Sequence, residues 1–315
     1  MKNIDILQIG PYPAWDEGPL NEKFTMHRYF EAEDQQVMLS TYKDNIRGIA
    51  TRGELGASRE LIEALPNLEV ISVYGVGYDA VDLEAASERN IRVTNTPDVL
   101  TSDVADLGVA MMLVQSRGMI GAEAWVRDGS WEQKGLFDLK TRVHGQSAGV
   151  LGLGRIGFEV AQRLAAFNMD IAYSDIEAKS YAPDWTYIEN PVELAKRSKF
   201  LFVTLAANDV TRHIVNKDVI EALGPEGMVI NISRASNIDE DALLDALENG
   251  WLGSAALDVF EGEPAINPRF LKLDNVLLQP HHASGTVDTR KDMGKLVYNN
   301  LVAHFEGKEL LTPVL

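Results

Sequence analysis

Short apolar runs alternate with stretches of helical period along most of the chain. Strand-like runs fall at Ile4 to Ile9, Gln36 to Leu39, Gly48 to Ala50 and Val70 to Tyr74. Between them, Ser58 to Leu65 places Leu61, Ile62 and Leu65 on one helical face. This alternation predicts an α/β unit on a parallel sheet, with no phosphate-type glycine motif at its first turn. Thr96-Pro97 disfavours continuing a helix, and a long pattern then runs from Ser102 to Arg117. Its Val104, Leu107, Met111, Met112 and Val114 fit a helix buried on more than one side. The alternation resumes with strands at Phe200 to Leu205, Met228 to Ile232, Ala255 to Val259 and Asn275 to Leu278. Helices are expected at Lys217 to Leu223 and Asp239 to Glu248. A last helical stretch, Arg290 to Phe305, follows the second alternation and is free to return to the first domain.

The second alternation opens on Gly149 to Gly157, GVLGLGRIG. Gly152-x-Gly154-x-x-Gly157, with Arg155 and Ile156 inside it, follows a short apolar run and opens the helix-forming segment Phe158 to Ala165. A tight glycine turn lets the backbone approach a pyrophosphate, whose charge a helix N-terminus favours. The glycines alone would also suit an ordinary strand-to-helix turn. The next apolar run ends at Ile171-Ala172-Tyr173-Ser174-Asp175, with Asp175 eighteen residues beyond Gly157, about where such a unit places a ribose-binding carboxylate. Strand, glycines, helix, second strand and acidic end together predict a dinucleotide site. Asp175 would repel a 2′-phosphate, so NAD is expected over NADP. Neither Ile176 nor Glu177 offsets that charge, although Lys179 is near in sequence.

Composition narrows the partners. Asp and Glu number 47 against 29 Lys and Arg, a net charge of −18, which disfavours nucleic acid or an anionic membrane surface. There is no cysteine, which excludes disulfides and thiolate chemistry and fits a reducing cytoplasm. The opening MKNIDILQIG enters a strand pattern without the features of a signal peptide, and no apolar stretch is long enough for a bilayer. At 315 residues two domains are expected.

Several polar residues fall where strands should end, the place where open α/β sheets bind ligands. Arg234 follows one such strand; its guanidinium could hold a carboxylate through two parallel hydrogen bonds, or cap a helix and satisfy carbonyls. Asp258 ends another, followed closely by Glu263. His281 and His282 come after a third, beside Pro280. A carboxylate on a ring nitrogen would stabilise an imidazolium, the proton donor that ketone reduction needs near neutral pH. His27, His144, His213, His281, His282 and His304 show no recognised metal-ligand spacing, so no metal is expected.

Taken together, Val76-Gly77-Tyr78-Asp79, GLGRIG, Asn231 to Arg234, LDVFEGEP from Leu257 to Pro264, and Pro280-His281 resemble the NAD(P)-dependent D-isomer-specific 2-hydroxyacid dehydrogenases, across essentially the full length. The segments Ser284 to Arg290 and Leu311 to Val314 look like the glyoxylate, hydroxypyruvate and hydroxyphenylpyruvate reductase branch. The resemblance implies two Rossmann-like domains separated by a cleft, with the cofactor domain, residues 98–280, inserted into a discontinuous flavodoxin-like substrate domain, residues 1–97 plus 281–315. It also implies a homodimer made chiefly through the cofactor domains. Carried over by position, Arg234 holds the substrate carboxylate, Glu263 partners the imidazole and His281 is the acid/base. The backbone of Val76 and Gly77 surrounds the carboxylate, Val104 and Asp258 border the nicotinamide, and Thr211 lies toward the pyrophosphate. Ala235, Asp106, Ala206, Ala207 and His282 depart from the common pattern without removing a catalytic side chain.

Arg52 and Tyr74 bear on substrate size. Arg52 is either a solvated surface arginine or a second cation for a distal carboxylate, hydroxyl or phosphate, with Tyr74 narrowing the pocket. An arginine facing an apolar chamber would carry a desolvation cost, so glyoxylate or hydroxypyruvate is expected over hydroxyphenylpyruvate. A phosphoglycerate dehydrogenase-like activity and a non-catalytic NAD-sensing partner protein are the alternatives.

Overall fold

A computed structural model describes residues 4–315; the first three residues, Met1 included, where the first domain was expected to begin, lie outside the described residues. The chain divides into two compact units, Met1–Leu100 with Ser284–Leu315, and Thr101–Ala283.

In the first unit the order is β1 (Asp5–Gln8), α1 (Ala14–Lys23), β2 (Thr25–Arg28), α2 (Gln35–Tyr42), β3 (Ile46–Arg52), α3 (Arg59–Ala64), β4 (Val70–Tyr74), α4 (Leu83–Glu88) and β5 (Arg92–Thr94). The strands form one parallel sheet in the order β2-β1-β3-β4-β5, the flavodoxin-like arrangement. Ile49, Ile62, Ile71 and Val93 lie in a core cluster under the helices of one face. The strand expected at Gln36 to Leu39 is instead the middle of α2. A four-residue apolar run does not distinguish strand from helix by period. Here Asp34 decides, because its carboxylate accepts the N–H groups of Gln36 and Val37 and caps a helix.

The second unit continues with α5 (Thr101–Arg117), α6 (Met119–Arg127), α7 (Ser130–Lys134), β6 (Ser147–Leu151), α8 (Arg155–Ala166), β7 (Asp170–Ser174), β8 (Thr186–Tyr187), α9 (Pro191–Arg197), β9 (Phe200–Val203), α10 (Lys217–Leu223), β10 (Met228–Asn231), α11 (Glu240–Glu248), β11 (Ser254–Leu257) and β12 (Val276–Leu278). Its seven parallel strands run β12-β11-β10-β9-β6-β7-β8, so the strand order reverses beside β6, as in a dinucleotide-binding sheet. Phe200, Phe202, Val229 and Ala255 are fully buried in it. Among the described residues no helix is long and apolar enough to cross a membrane, and no group of side chains is arranged to hold a metal ion.

The chain re-enters the first unit at Ser284, three residues later than the sequence boundary, so His281 belongs to the cofactor unit. The cause is Asp258, whose two carboxylate oxygens accept the N–H groups of His282 and Ala283 at 2.9 Å each and tie that segment to the end of β11. The final helix, α12 (Val287–Phe305), then packs against β4 and α1. Thr286 caps it by accepting the Thr289 N–H, and so it starts before the expected Arg290.

Asp16, only 8% exposed in the first turn of α1, lies directly against α12, where a Cβ on Gly294 would run into its carboxylate. Burial pushes its carboxyl up from 3.8 to about 6, against hydrogen bonds from Tyr74 and Trp15 that favour the charged form. The folded state therefore holds this proton more tightly than the unfolded chain, and stability from this group is lost as pH rises through about 6. Asp16→Asn is expected to raise stability near neutral pH by about 1–3 kcal/mol and to remove that loss. Urea midpoints for both proteins across this range test it; parallel pH profiles would contradict it.

Candidate active site

The turn between β6 and α8 is shaped by its glycines. Gly152 has φ +90°, a conformation costly for other residues, and Gly157 lies so close to the Gly152 carbonyl oxygen that a Cβ there would collide with it. Gly154 differs: a Cβ there would meet nothing within 4 Å. Open space thus faces the N-cap of α8, and its first turn carries Arg155, Ile156 and Gly157. This is the fit that a dinucleotide pyrophosphate requires, with backbone approach at Gly154 and a twelve-residue helix directed at it.

Asp175 sits one residue beyond β7, and its carboxylate already has partners within the protein. Oδ2 accepts the Leu153 N–H at 2.8 Å, Oδ1 accepts the Ile176 N–H at 2.7 Å, and Lys179 Nζ stands 3.0 Å from Oδ1. Asp175 in turn pushes the Lys179 ammonium above its ordinary value, chiefly through their hydrogen bond. The local field is that of an ion pair rather than of a bare carboxylate.

The other expected cofactor residues are placed less directly. Val104 is 5% exposed inside α5. Thr211 donates its hydroxyl to the Ala206 carbonyl at 2.7 Å and accepts the Asn208 N–H, holding the loop after β9. Asp258 is 1% exposed, with its carboxyl raised by burial, and its hydrogen bonds serve the segment next to His281.

That segment carries the chemistry. His281 has φ +49°, a turn conformation held from both sides, and its Nδ1 is 2.6 Å from Glu263 Oε2. Glu263 Oε1 accepts the Phe260 N–H at 2.6 Å, which aims the carboxylate at the imidazole. Burial alone would raise the Glu263 carboxyl. The hydrogen bond and charge of His281, the Phe260 N–H and the charge of Arg234 outweigh it and hold the group below its ordinary value. With Nδ1 engaged, Nε2 is the ring nitrogen able to pass a proton to a ligand. Arg234 follows β10, with Nη1 donating to the Ser233 carbonyl at 2.9 Å and its own carbonyl accepting from Asn231. The residue after it, Ala235, begins a 3₁₀ turn without positive φ, so the backbone accommodates the Cβ that replaces a glycine. Asp106, another of the departures, pairs with Arg163 at 2.5 Å. An Arg, a carboxylate and an imidazole in one unit can bind an anion and deliver a proton.

The first unit holds the remaining candidates. Val76 and Gly77 lie in the loop after β4, where Asn95 donates to the Val76 carbonyl. Tyr74 and Arg52 line a cavity of about 350 Å³ together with Tyr12, Trp15, Thr286 and Arg290. Tyr74 is 4% exposed and its hydroxyl donates to the Arg290 carbonyl at 2.5 Å, with Asp16 Oδ2 at 3.2 Å; it forms the wall but lends no free donor. Arg52 is paired with Glu54 at 2.6 Å. Trp15 and Arg290 had no signal in the strand and helix pattern, because only the packing of α1 and α12 beside β4 brings them together.

Comparison with known proteins shows the family and the fold. Residues 109–283 match the family model described as D-isomer specific 2-hydroxyacid dehydrogenase, NAD binding domain. The chain is 44% identical to glyoxylate/hydroxypyruvate reductase A HPR2 of Arabidopsis thaliana and 44% identical to hydroxyphenylpyruvate reductase of Plectranthus scutellarioides, each over 100% of both chains. Among solved structures, a 2-hydroxyacid dehydrogenase from Ketogulonicigenium vulgare Y25 superposes with TM-score 0.94 at 71% identity, covering 100% of this chain and 99% of that one. The NADPH-dependent glyoxylate/hydroxypyruvate reductase of Sinorhizobium meliloti, in complex with NADP and malonate, superposes with TM-score 0.93 at 40% identity, over 99% and 97%.

This last structure corrects the expected preference for NAD over NADP: so similar a protein is NADPH-dependent. The physical reason is local, since the repulsion assigned to Asp175 presumed an unpartnered carboxylate, whereas Lys179 and two backbone N–H groups already engage it. The fold, the glycine turn and the paired histidine make this an NAD(P)-linked oxidoreductase. The chain belongs to the D-isomer specific 2-hydroxyacid dehydrogenase family, in its glyoxylate/hydroxypyruvate reductase-like branch.

Proposed function

We propose that the protein reduces glyoxylate to glycolate and hydroxypyruvate to D-glycerate, with NADPH as an accepted cofactor. The observation that carries this reading is the His281–Glu263 pair at 2.6 Å, in the same unit as Arg234 and the open glycine turn. When bound, the dihydronicotinamide supplies a hydride to the 2-oxo carbon. His281 Nε2 gives a proton to the carbonyl oxygen as negative charge develops there, and Glu263 keeps the resulting ring oriented. Arg234 holds the adjacent carboxylate, so that orientation supplies much of the rate. Val104 and Asp258 bound the nicotinamide side, and Thr211 shapes the loop on the pyrophosphate side. Lys179, beside Asp175, is the cation proposed to tolerate a ribose 2′-phosphate.

The cofactor unit is proposed to pair with a second copy, because Met119, Ile120, Val126 and Trp131 expose large apolar surfaces on α6 and α7. We place the protein in the cytoplasm. The substrate test compares kcat/KM for glyoxylate, hydroxypyruvate and 4-hydroxyphenylpyruvate. The short acids are expected to lead, because two arginines face the substrate-unit cavity; a lead for 4-hydroxyphenylpyruvate would reverse the ranking.

A further inference from the structure

The segment that follows Asp175 turns back onto the glycine turn. Tyr181 donates its hydroxyl to the Leu153 carbonyl at 2.5 Å, and Asp175 already accepts the Leu153 N–H at 2.8 Å. Leu153 thus has both backbone groups tied by side chains of one short segment, between Gly152 at φ +90° and Gly154 at the N-cap of α8. The segment is itself anchored. The Tyr173 hydroxyl accepts the Lys179 N–H at 2.7 Å, and the Tyr187 hydroxyl donates to the Asp175 carbonyl at 3.2 Å. Tyr173 is 1% exposed, so one of these anchors belongs to the core.

A trans peptide directs its carbonyl and its N–H to opposite sides. The carbonyl that Tyr181 holds shares a peptide plane with the Gly154 N–H, so fixing one sets the direction of the other. Gly154 is also the glycine whose added Cβ would meet nothing within 4 Å. Aromatic contact places the Tyr181 ring. Its centre lies 5.4 Å from that of Phe158, edge to face, and Phe158 meets Trp185 at 5.3 Å. Phe158 is the fourth residue of α8, so the ring that carries the hydroxyl rests on the helix whose N-terminus suits the phosphates.

We propose that Tyr181 is a positioning residue for the cofactor: by holding the Leu153 carbonyl, it presets the Leu153–Gly154 peptide to donate its N–H to the dinucleotide pyrophosphate. The proposal rests on the reading of the β6–α8 turn as the pyrophosphate site and adds to it a residue outside the glycine motif. A peptide left unset has to be oriented at binding, and that cost falls on affinity. The pyrophosphate is common to NADPH and NADH, so the effect is the same for both, unlike that of a residue that reads the ribose 2′-phosphate.

The test is Tyr181→Phe, which keeps the ring and removes the hydroxyl. Tyr181 is 52% exposed, so the change leaves the core intact. Fluorescence titrations are expected to show Kd raised about five- to tenfold for NADPH and for NADH, the two factors agreeing within about twofold. With glyoxylate, KM for NADPH is expected to rise while kcat at saturating NADPH changes by no more than about twofold. Melting without cofactor is expected to stay within about 4 °C of the native protein. Unchanged affinity for both dinucleotides, a loss confined to NADPH, or a larger fall in melting with kcat lowered as much as affinity would overturn the proposal. If the native protein binds neither dinucleotide, the reading of the turn fails and takes the proposal with it. If it binds them but reduces no 2-oxo acid, the reductase reading fails alone, and the titrations still decide the role of Tyr181.

Discussion

Replacing His281 by asparagine is expected to lower 2-oxo acid reduction by about 10²–10⁴-fold while leaving cofactor affinity nearly unchanged. The imidazole is the group in its cluster to which proton donation is assigned, and asparagine fills similar space without that capacity. Nucleotide binding is assigned to the β6–α8 turn, which His281 does not build. Glu263→Gln separates proton donation from positioning. Its amide can still meet Nδ1, but the imidazolium loses a charged partner now 2.6 Å away. Activity is expected to survive in part, with the alkaline limb of the reductive pH profile moved toward lower pH. Turnover of His281→Asn at near-native rates, measured by loss of nicotinamide absorbance, would remove His281 from the role of acid.

The second large effect is a contrast between two glycines three residues apart. Gly157→Ala is expected to disrupt the turn itself, because the new Cβ meets the Gly152 carbonyl and the Thr204 hydroxyl, and the first of these is backbone. Loss of several kcal/mol of stability, or failure to fold, is the expected result at a site so closely packed, as about 1–3 kcal/mol is already typical of milder overpacking. Gly154→Ala should fold normally, since no protein atom lies within 4 Å of its added Cβ. Its methyl group would occupy the space proposed for the pyrophosphate and weaken NADPH binding by about tenfold or more, each tenfold being about 1.4 kcal/mol. Thermal melts without cofactor, together with NADPH fluorescence titrations, read the two effects apart. Native affinity in a folded Gly154→Ala would place the pyrophosphate elsewhere.

The cofactor turn was legible because it is local. Gly152, Gly154 and Gly157 signal a backbone requirement that no distant residue sets, and the flanking strand and helix confirm its period. The strand Val70–Tyr74 and helix Lys217–Leu223 were legible for the same reason, with apolar patterns long enough to choose one period. Val37, Met38 and Leu39 were not, because a single carboxylate, Asp34, outweighs an ambiguous apolar run. Arg234, Glu263 and His281 could be named from strand ends and family resemblance. That Glu263 is aimed by the Phe260 N–H, and that Asp258 holds the backbone beside the histidine, required coordinates. Asp175 marks the boundary of sequence reasoning most clearly. Its position was read correctly, but its electrostatic effect depends on Lys179, and Leu153 reaches it only across the folded β6–β7 edge.

The most direct test of the central claim follows the hydride. NADPH carrying deuterium at the transferable C4 position is mixed with hydroxypyruvate and the native enzyme, and the product is analysed by NMR and chiral chromatography. The account predicts D-glycerate with one deuterium at C2, formed in step with cofactor oxidation. Unlabelled product, the L isomer, or no consumption of NADPH or NADH with any short 2-oxo acid would contradict it.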